Sequence, residues 1–369
     1  MKKQLSVAKF GGTSVANVDA INKCIDIIKN NTGIKIIVVS AQSRVTNLLE
    51  ELLLSSRCDH KTIIMKIHNI VAPIMKCISL DACLYIDKLF EELGVLCEQI
   101  CISNSLKIND QIMSFGEIVS SYLFTEILNI NNIKAQYVDA RKIIKTNNDF
   151  TNAKPLIKDI RRELKQYINL RSKSMFVVGG FIGSNKKNET TTLGRGGSDY
   201  TATLISEAIR AKQIYIWTDV AGVYQADPRL LPSSEVIPEM SFDEAFELVR
   251  FGARVLHEDT LRPAIRSKMK VFVGSTFCPE KGGTWIINKT KKRKPFVMAI
   301  TEKKNQSLIT IKFLNYVEAK VVEQIYDILK NTNINVDIIN ITNDMVKFNA
   351  SQIDKDKLGV LTNNIKFLH

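Results

Sequence analysis

Short apolar runs rich in β-branched residues alternate with amphipathic stretches up to about residue 290, and this alternation constrains the fold more than any other feature. The runs Ile34–Ala41, Ser174–Gly183, Gln213–Val220 and Met269–Ser275 are too short for helices. They are rich in β-branched residues, as strands buried on both faces are. Between them Val18, Ile21, Ile25 and Ile28 recur at three- and four-residue steps, giving one apolar stripe. Residues 61–104 read as two helices broken near Ile78–Ala82. The pattern predicts an α/β domain over residues 1–292, with a mainly parallel central sheet and helices on both faces. After Pro295 the character changes. Ser307–Leu314, a helix from about Val317 to Asn331, Asn335–Thr342 and Met345–Ser351 read β-α-β-β, and residues 354–368 supply a final short helix and strand. That predicts a small βαββαβ module over residues 296–369, joined through a basic linker at 290–296.

Composition excludes several classes. The chain is 45% hydrophobic and 24% charged over 369 residues, enough to bury a sizeable core. No apolar run approaches the roughly 18–20 residues of a membrane span. Lys9 breaks the N-terminal apolar stretch too early for a signal peptide. Seven cysteines are scattered without a CxxC pair or zinc spacing, so they read as small buried hydrophobes in a reducing, cytoplasmic compartment. The net charge of +13 fits nucleic acid or anionic substrates. Its densest run, Thr290–Phe296, lacks interleaved aromatics and reads as a solvated linker. The expected partner is therefore a small molecule, with no nucleic acid and no membrane.

Three stretches carry chemistry. In "VAKFGGTSVANVDAINK" (Val7–Lys23), Gly11, Gly12 and two hydroxyls follow a strand and precede a helix. Backbone N–H groups there approach an anion closely, Ser14 is placed to cap a helix starting near Val15, and Lys9 adds a full charge. A structural glycine turn fits the same residues. "TTTLGRGGSDYTATLISEAIRA" (Thr190–Ala211) repeats the pattern, with Arg195 between glycines and Ser198 and Asp199 opening a helix. Asp199 is an acid in a pocket otherwise suited to anions; it orients a cation such as Lys9 or Mg2+, or accepts a proton. "IWTDVAGVYQADPRLLP" (Ile216–Pro232) places Thr218, Asp219, Tyr224 and Arg229 at a strand end and its loop, which suits a nucleotide or an ordinary ordered loop.

Taken in order, "KFGGTSV", "SFGEIVSSYLF", "TTLGRGGSDYTA", "WTDVAGVYQADPR" and "FGARVLHEDTLRPA" resemble the aspartate kinases of the amino-acid kinase fold, most nearly their monofunctional lysine-sensitive type, over about residues 3–315. The resemblance implies that Lys9, with Gly11, Gly12 and Thr13, binds phosphates and stabilises the transferred group. It implies that Thr46, Glu117, Arg195 and Ser198 hold L-aspartate, with Arg195 on a carboxylate and Glu117 on the amino group. Asp199 would orient Lys9. Thr218, Asp219, Tyr224, Arg229, Arg254 and Val255 would bind ATP, with Mg2+ as companion ion. The implied reaction converts ATP and aspartate into ADP and 4-phospho-L-aspartate, the entry to lysine, methionine and threonine synthesis. The residue types suit it: the acceptor carboxylate is already ionised, so positioning and charge neutralisation suffice without a catalytic histidine or a resident metal. His257 then reads as structural.

The sequence also departs from the family's pattern. Arg44 stands in "QSRVTN" where the family has a small, glycine-containing turn; Arg254 replaces lysine and Glu258 replaces proline. The family ends in two interleaved ACT-type modules, and residues 296–369 give room for one. Its effector loop, Phe313–Tyr326, lacks glycine and serine. These departures predict feedback regulation reduced or lost, with the module kept for packing or for a homodimer. A kinase for another small acidic amino acid and a degenerate, non-catalytic homologue are the competing readings.

Overall fold

The computed structural model describes residues 5–366 apart from 104, 251–255, 291–296, 303, 315, 333, 335, 352 and 354. They form two compact units, one from residues 5–249 with 256–299, the other mainly from residues 300–366.

In the first unit the strands are β1 (Ser6–Phe10), β2 (Ile34–Val39), β3 (Ala135–Val138), β4 (Met175–Gly179), β5 (Ile182–Ser184) and β6 (Thr190–Thr192). They continue with β7 (Gln213–Thr218), β8 (Glu239–Ser241), β9 (Lys270–Ser275) and β10 (Gly283–Ile287). The helices are α1 (Val18–Asn30), α2 (Val45–Leu54), α3 (His60–Met75), α4 (Leu80–Ile102) and α5 (Leu106–Ile130). After these come α6 (Ala140–Ile143), α7 (Ile157–Tyr167), α8 (Gly197–Ala208), α9 (Phe242–Arg250) and α10 (Glu258–Ser267).

Eight strands make one sheet in the order β3-β4-β2-β1-β7-β9-β10-β8. Neighbours are parallel except β9 and β10. A separate antiparallel hairpin pairs β5 with β6. The central strands β1, β2 and β4 are buried at nearly every position because each face of the sheet meets its own core. Val7, Ile36, Val38, Val178, Ile214 and Val273 join a core with residues of α7, α8 and α10. Ala8, Phe10, Ile37, Val39 and Val177 join another with residues of α1 to α5. On α1 the stripe Ile21, Ile25 and Ile28 is buried, with Cys24 beside it. The break expected near Ile78–Ala82 separates α3 from α4, and Ser79 caps α4 by accepting from the Ala82 N–H at 3.3 Å.

In the second unit β11 (Gln306–Lys312), α11 (Ala319–Asn331), β12 (Val336–Ile341), β13 (Met345–Ser351) and α12 (Lys355–Ile365) follow in turn. The sheet is antiparallel, in the order β11-β13-β12. Ile325, Leu329, Val346, Phe348 and Leu361 form its core. The final strand expected after α12 falls on residues 367–368, outside the described residues.

Candidate active site

The site grows from the carboxyl ends of β1, β2, β4 and β7. Lys9 is the fourth residue of β1 and Gly11–Gly12 follow the strand directly. The Gly11 N–H donates to the Trp217 carbonyl at 2.9 Å, and the Ser43 N–H donates to the Gly12 carbonyl at 3.0 Å. A Cβ on Gly12 would lie 2.7 Å from the Ala41 carbonyl oxygen, although its φ of −61° suits any residue. This glycine is needed for room, so that two turns of backbone pack directly. One expectation fails here. Ser14 does not cap a helix at Val15, because Thr13–Val15 forms a separate 3-10 turn and α1 begins at Val18. Asn17 is the cap, its Oδ1 accepting from the Ala20 N–H at 2.9 Å. Ser14 instead turns inward, its Oγ 2.7 Å from Thr276 Oγ1.

The facing wall is the start of α8. Asp199 lies in its first turn, where the helix dipole favours an anion. The Lys9 ammonium sits 2.6 Å from Asp199 Oδ1, both side chains mostly shielded from solvent. Gly194 and Gly196 take φ of +75° and +73°, left-handed backbone that sets the sharp entry to α8. A Cβ on Gly196 would also meet His257 Cβ at 2.6 Å. His257 in turn caps α10, its Nδ1 accepting from the Asp259 N–H at 3.4 Å, which is a structural part. Ser198 packs against Gly180, where a Cβ would lie 2.6 Å from Ser198 Cβ. Arg195 is exposed at the tip of the turn.

The floor is α5. Glu117 is 4% exposed, and its Oε1 accepts from the Ala41 N–H at 3.2 Å. Its Oε2 has no hydrogen-bond partner among the described residues. Burial pushes the Glu117 carboxyl up to about 8, outweighing the lowering by the Ala41 N–H and the Lys9 ammonium. A buried acceptor without a partner, close to a lysine, is an opening for a ligand cation. Thr46, the second residue of α2, is half-buried, and Arg44 stands at the α2 N-cap with a left-handed φ of +75° and no side-chain capping bond.

The remaining candidates divide. Thr218 ends β7, and its Cα is 3.9 Å from where a Gly11 Cβ would be. Its Oγ1 donates to Asp219 Oδ1 at 3.0 Å, and the Thr276 N–H donates to its carbonyl at 2.8 Å. So Thr218 and Asp219 border the glycine turn. Tyr224 is bridged to Val236, and the exposed Arg229 guanidinium is 2.6 Å from Asp227, so this loop is held by its own contacts. Arg254 and Val255 lie outside the described residues.

Two contributors escaped the sequence reading. Gly179–Gly180 closes β4 against Glu117 and Ser198; its signal was a glycine pair ending an apolar run. Asp110 on α5 is buried and accepts from Thr151 N, Thr192 N and Thr192 Oγ1 at 2.7–3.1 Å. It ties α5 to β6 just before Gly194. A lone acid in a helical stretch carries no sequence signal for that.

A parallel sheet with glycine turns, a shielded lysine and helix N-termini at its carboxyl edge defines a small-molecule kinase, and the model of the amino acid kinase family matches residues 4–275. The lysine-sensitive aspartokinase 3 of Escherichia coli (strain K12) is 39% identical over 344 residues, 91% of this chain and 76% of that protein. The aspartokinase of Chlamydia pneumoniae is 34% identical over 350 residues, 93% of this chain and 76% of that protein. The crystal structure of E. coli aspartokinase III in complex with aspartate and ADP superposes with a TM-score of 0.87 at 36% identity, covering 97% of this chain and 83% of that one. The chain belongs to the aspartokinases of the amino acid kinase family.

Proposed function

We propose that this chain transfers the γ-phosphoryl group of ATP to the β-carboxylate of L-aspartate, giving ADP and 4-phospho-L-aspartate, the entry step to lysine, methionine and threonine synthesis. The observation that carries it is the 2.6 Å pair of Lys9 with Asp199, set between the Gly11–Gly12 turn and the Glu117 floor. The acceptor oxygen is ionised at neutral pH, so the site has no proton to remove before attack. Its work is to align the two anions and to neutralise charge on the transferred group. Asp199 holds Lys9 in place, and the backbone N–H groups of Gly12 and Thr13 face the phosphates. Glu117 takes the substrate ammonium on its partnerless oxygen, while Arg195 closes on a carboxylate with Ser198 and Thr46 beside it. Thr218, Asp219, Tyr224, Arg229, Arg254 and Val255 hold the nucleotide.

Among the described residues no group of three His, Cys, Asp or Glu gathers to hold a metal. Mg2+ carried in on ATP phosphates needs one or two protein carboxylates at most. Asp219, exposed beside the glycine turn, is the residue to complete its shell. Bound there, Mg2+ would neutralise phosphate charge. No helix among the described residues is long and apolar enough to cross a membrane. The cysteines do not all fit the reading as small buried hydrophobes: Cys24 and Cys97 are buried, whereas Cys58, Cys77 and Cys101 are exposed thiols. Their odd count is what supports a reducing cytoplasmic setting.

The division of labour follows the two units, catalysis over 1–292 and an ACT-like module over 296–369 that supports self-association as a homodimer. Glu318 stands at the N-cap of α11 and makes no capping bond there. A carboxylate at that helix start repels an effector's carboxylate, so the response to lysine is reduced or lost. ADP release measured with aspartate, with glutamate and with no acceptor tests the reading. Turnover with aspartate alone supports it; turnover with glutamate or none contradicts it. A lysine titration of the same rate tests the regulatory part, with half-inhibition below about 1 mM, a binding energy of about 4 kcal/mol, as the contrary result.

A further inference from the structure

A cavity of about 460 Å³ opens behind the glycine turn, walled by Tyr215, Trp217, Phe272 and Phe277, with Lys23 and Asp26 at its rim. The walls follow from strand geometry. Positions 215 and 217 share one face of β7, and Tyr215 is registered against Phe272 of β9. The Trp217 and Phe272 rings lie 5.3 Å apart and the Tyr215 and Phe272 rings 5.8 Å apart. Trp217 Nε1 is buried with no hydrogen-bond partner among the described residues. Lys23 and Asp26 are exposed and one turn apart on α1, and the Lys23 ammonium sits 5.4 Å from the Phe277 ring centroid. An apolar slot with one cation and one carboxylate at its mouth complements a zwitterion with a flat side chain.

We infer that this cavity binds a free α-amino acid with an aromatic side chain, its ring against Trp217 and Phe277, its carboxylate at Lys23 and its ammonium at Asp26. The occupant touches the residues that hold the glycine turn. The Trp217 carbonyl accepts the Gly11 N–H, and Thr276, also in the cavity wall, bonds both Ser14 Oγ and the Thr218 carbonyl. Occupancy therefore acts on phosphate binding; this second half alone rests on the phosphotransfer proposed above.

The test is a calorimetric titration of the full chain with L-phenylalanine, without nucleotide, alongside tryptophan emission from Trp217 and Trp285. Saturable binding in the low millimolar range or tighter is expected, with a change in emission. Lys23→Met and Asp26→Asn, both exposed on α1, should each weaken it by about tenfold, and 3-phenylpropionate, lacking the ammonium, should bind wild type as weakly. The KM for ATP should shift about threefold or more at saturating phenylalanine. No saturable heat below about 20 mM, equal affinity in both variants, or binding of adenosine with phenylalanine silent would overturn the site. An unmoved KM for ATP would overturn the coupling. Because binding is read without turnover, an inactive chain that still binds phenylalanine contradicts only the phosphotransfer reading.

Discussion

The two glycine turns look alike in sequence, yet their glycines answer different demands. Gly12 has an ordinary φ of −61° and no space, with the Ala41 carbonyl 2.7 Å from its missing Cβ. Gly194 and Gly196 have left-handed φ, and at Gly196 the second demand is added by His257. The first turn is a place where backbones touch; the second is a place where the chain changes hand to start α8. The former holds the Gly12 backbone against that of Ala41, a close approach that only a residue without a side chain allows. The latter aims Ser198 and Asp199.

The comparison breaks most directly at the charge the two turns share. Lys9→Ala removes the cation that Asp199 holds, and should lower kcat by about 10²–10³ while the fold survives, since loss of one such contact costs about 3–4 kcal/mol. A variant keeping a third of wild-type kcat would remove Lys9 from the chemistry. Gly12→Ala comes next. A methyl group there must displace the turn from Ala41, and small misplacements cost about 10²-fold in rate. Steady-state kcat/KM should fall by that order, with a smaller loss of thermal stability. Gly196→Ala should invert the balance. Left-handed φ costs a non-glycine residue about 1–2 kcal/mol, so the melting temperature falls and the KM for aspartate rises more than that for ATP. If both variants lost activity and stability in equal proportion, the two turns would be one kind of structure.

How far these differences were legible in the sequence depends on the signal each leaves. The alternation of strands and helices was readable because both sheet faces meet apolar cores, which leaves runs such as Ile34–Val39 with every residue buried. The motif positions were readable because glycine, hydroxyl and charge coincide at strand ends. Whether a glycine serves space or hand was not, since both demands select the same residue. Ser14 misled because a 3-10 turn delays α1 by three residues, and nothing in Thr13–Val15 announces it. The antiparallel β10 beside β9 was also hidden, since an apolar run is the same in either direction.

Glu117 supplies a pH test of the floor between the turns. Its carboxyl is raised from 4.5 to about 8 by burial, so across that window the native chain keeps a proton that the unfolded chain has lost. Stability of the unliganded protein therefore falls as pH rises through the window, and Glu117→Gln should flatten that slope in thermal melts. The same proton must leave before the substrate ammonium pairs with the carboxylate. The KM for aspartate should then drop as pH rises from about 6 to 8, by at most about tenfold per unit, while that for ATP stays nearly level. The smallest effect is expected at Arg44, which has the φ of Gly196 without being glycine. Arg44→Gly relieves about 1–2 kcal/mol of left-handed strain and returns about 0.5–1 in unfolded-state entropy, so denaturant unfolding should show a net gain of about 0.5–1 kcal/mol.

The central claim is that the two turns converge to phosphorylate a carboxylate of aspartate. Running the reaction with ATP, Mg2+ and aspartate in hydroxylamine traps any acyl phosphate as a hydroxamate. The account predicts aspartyl β-hydroxamate in step with ADP, absent with Lys9→Ala and absent when glutamate replaces aspartate. ADP release without hydroxamate, or hydroxamate formed equally from glutamate, would contradict it.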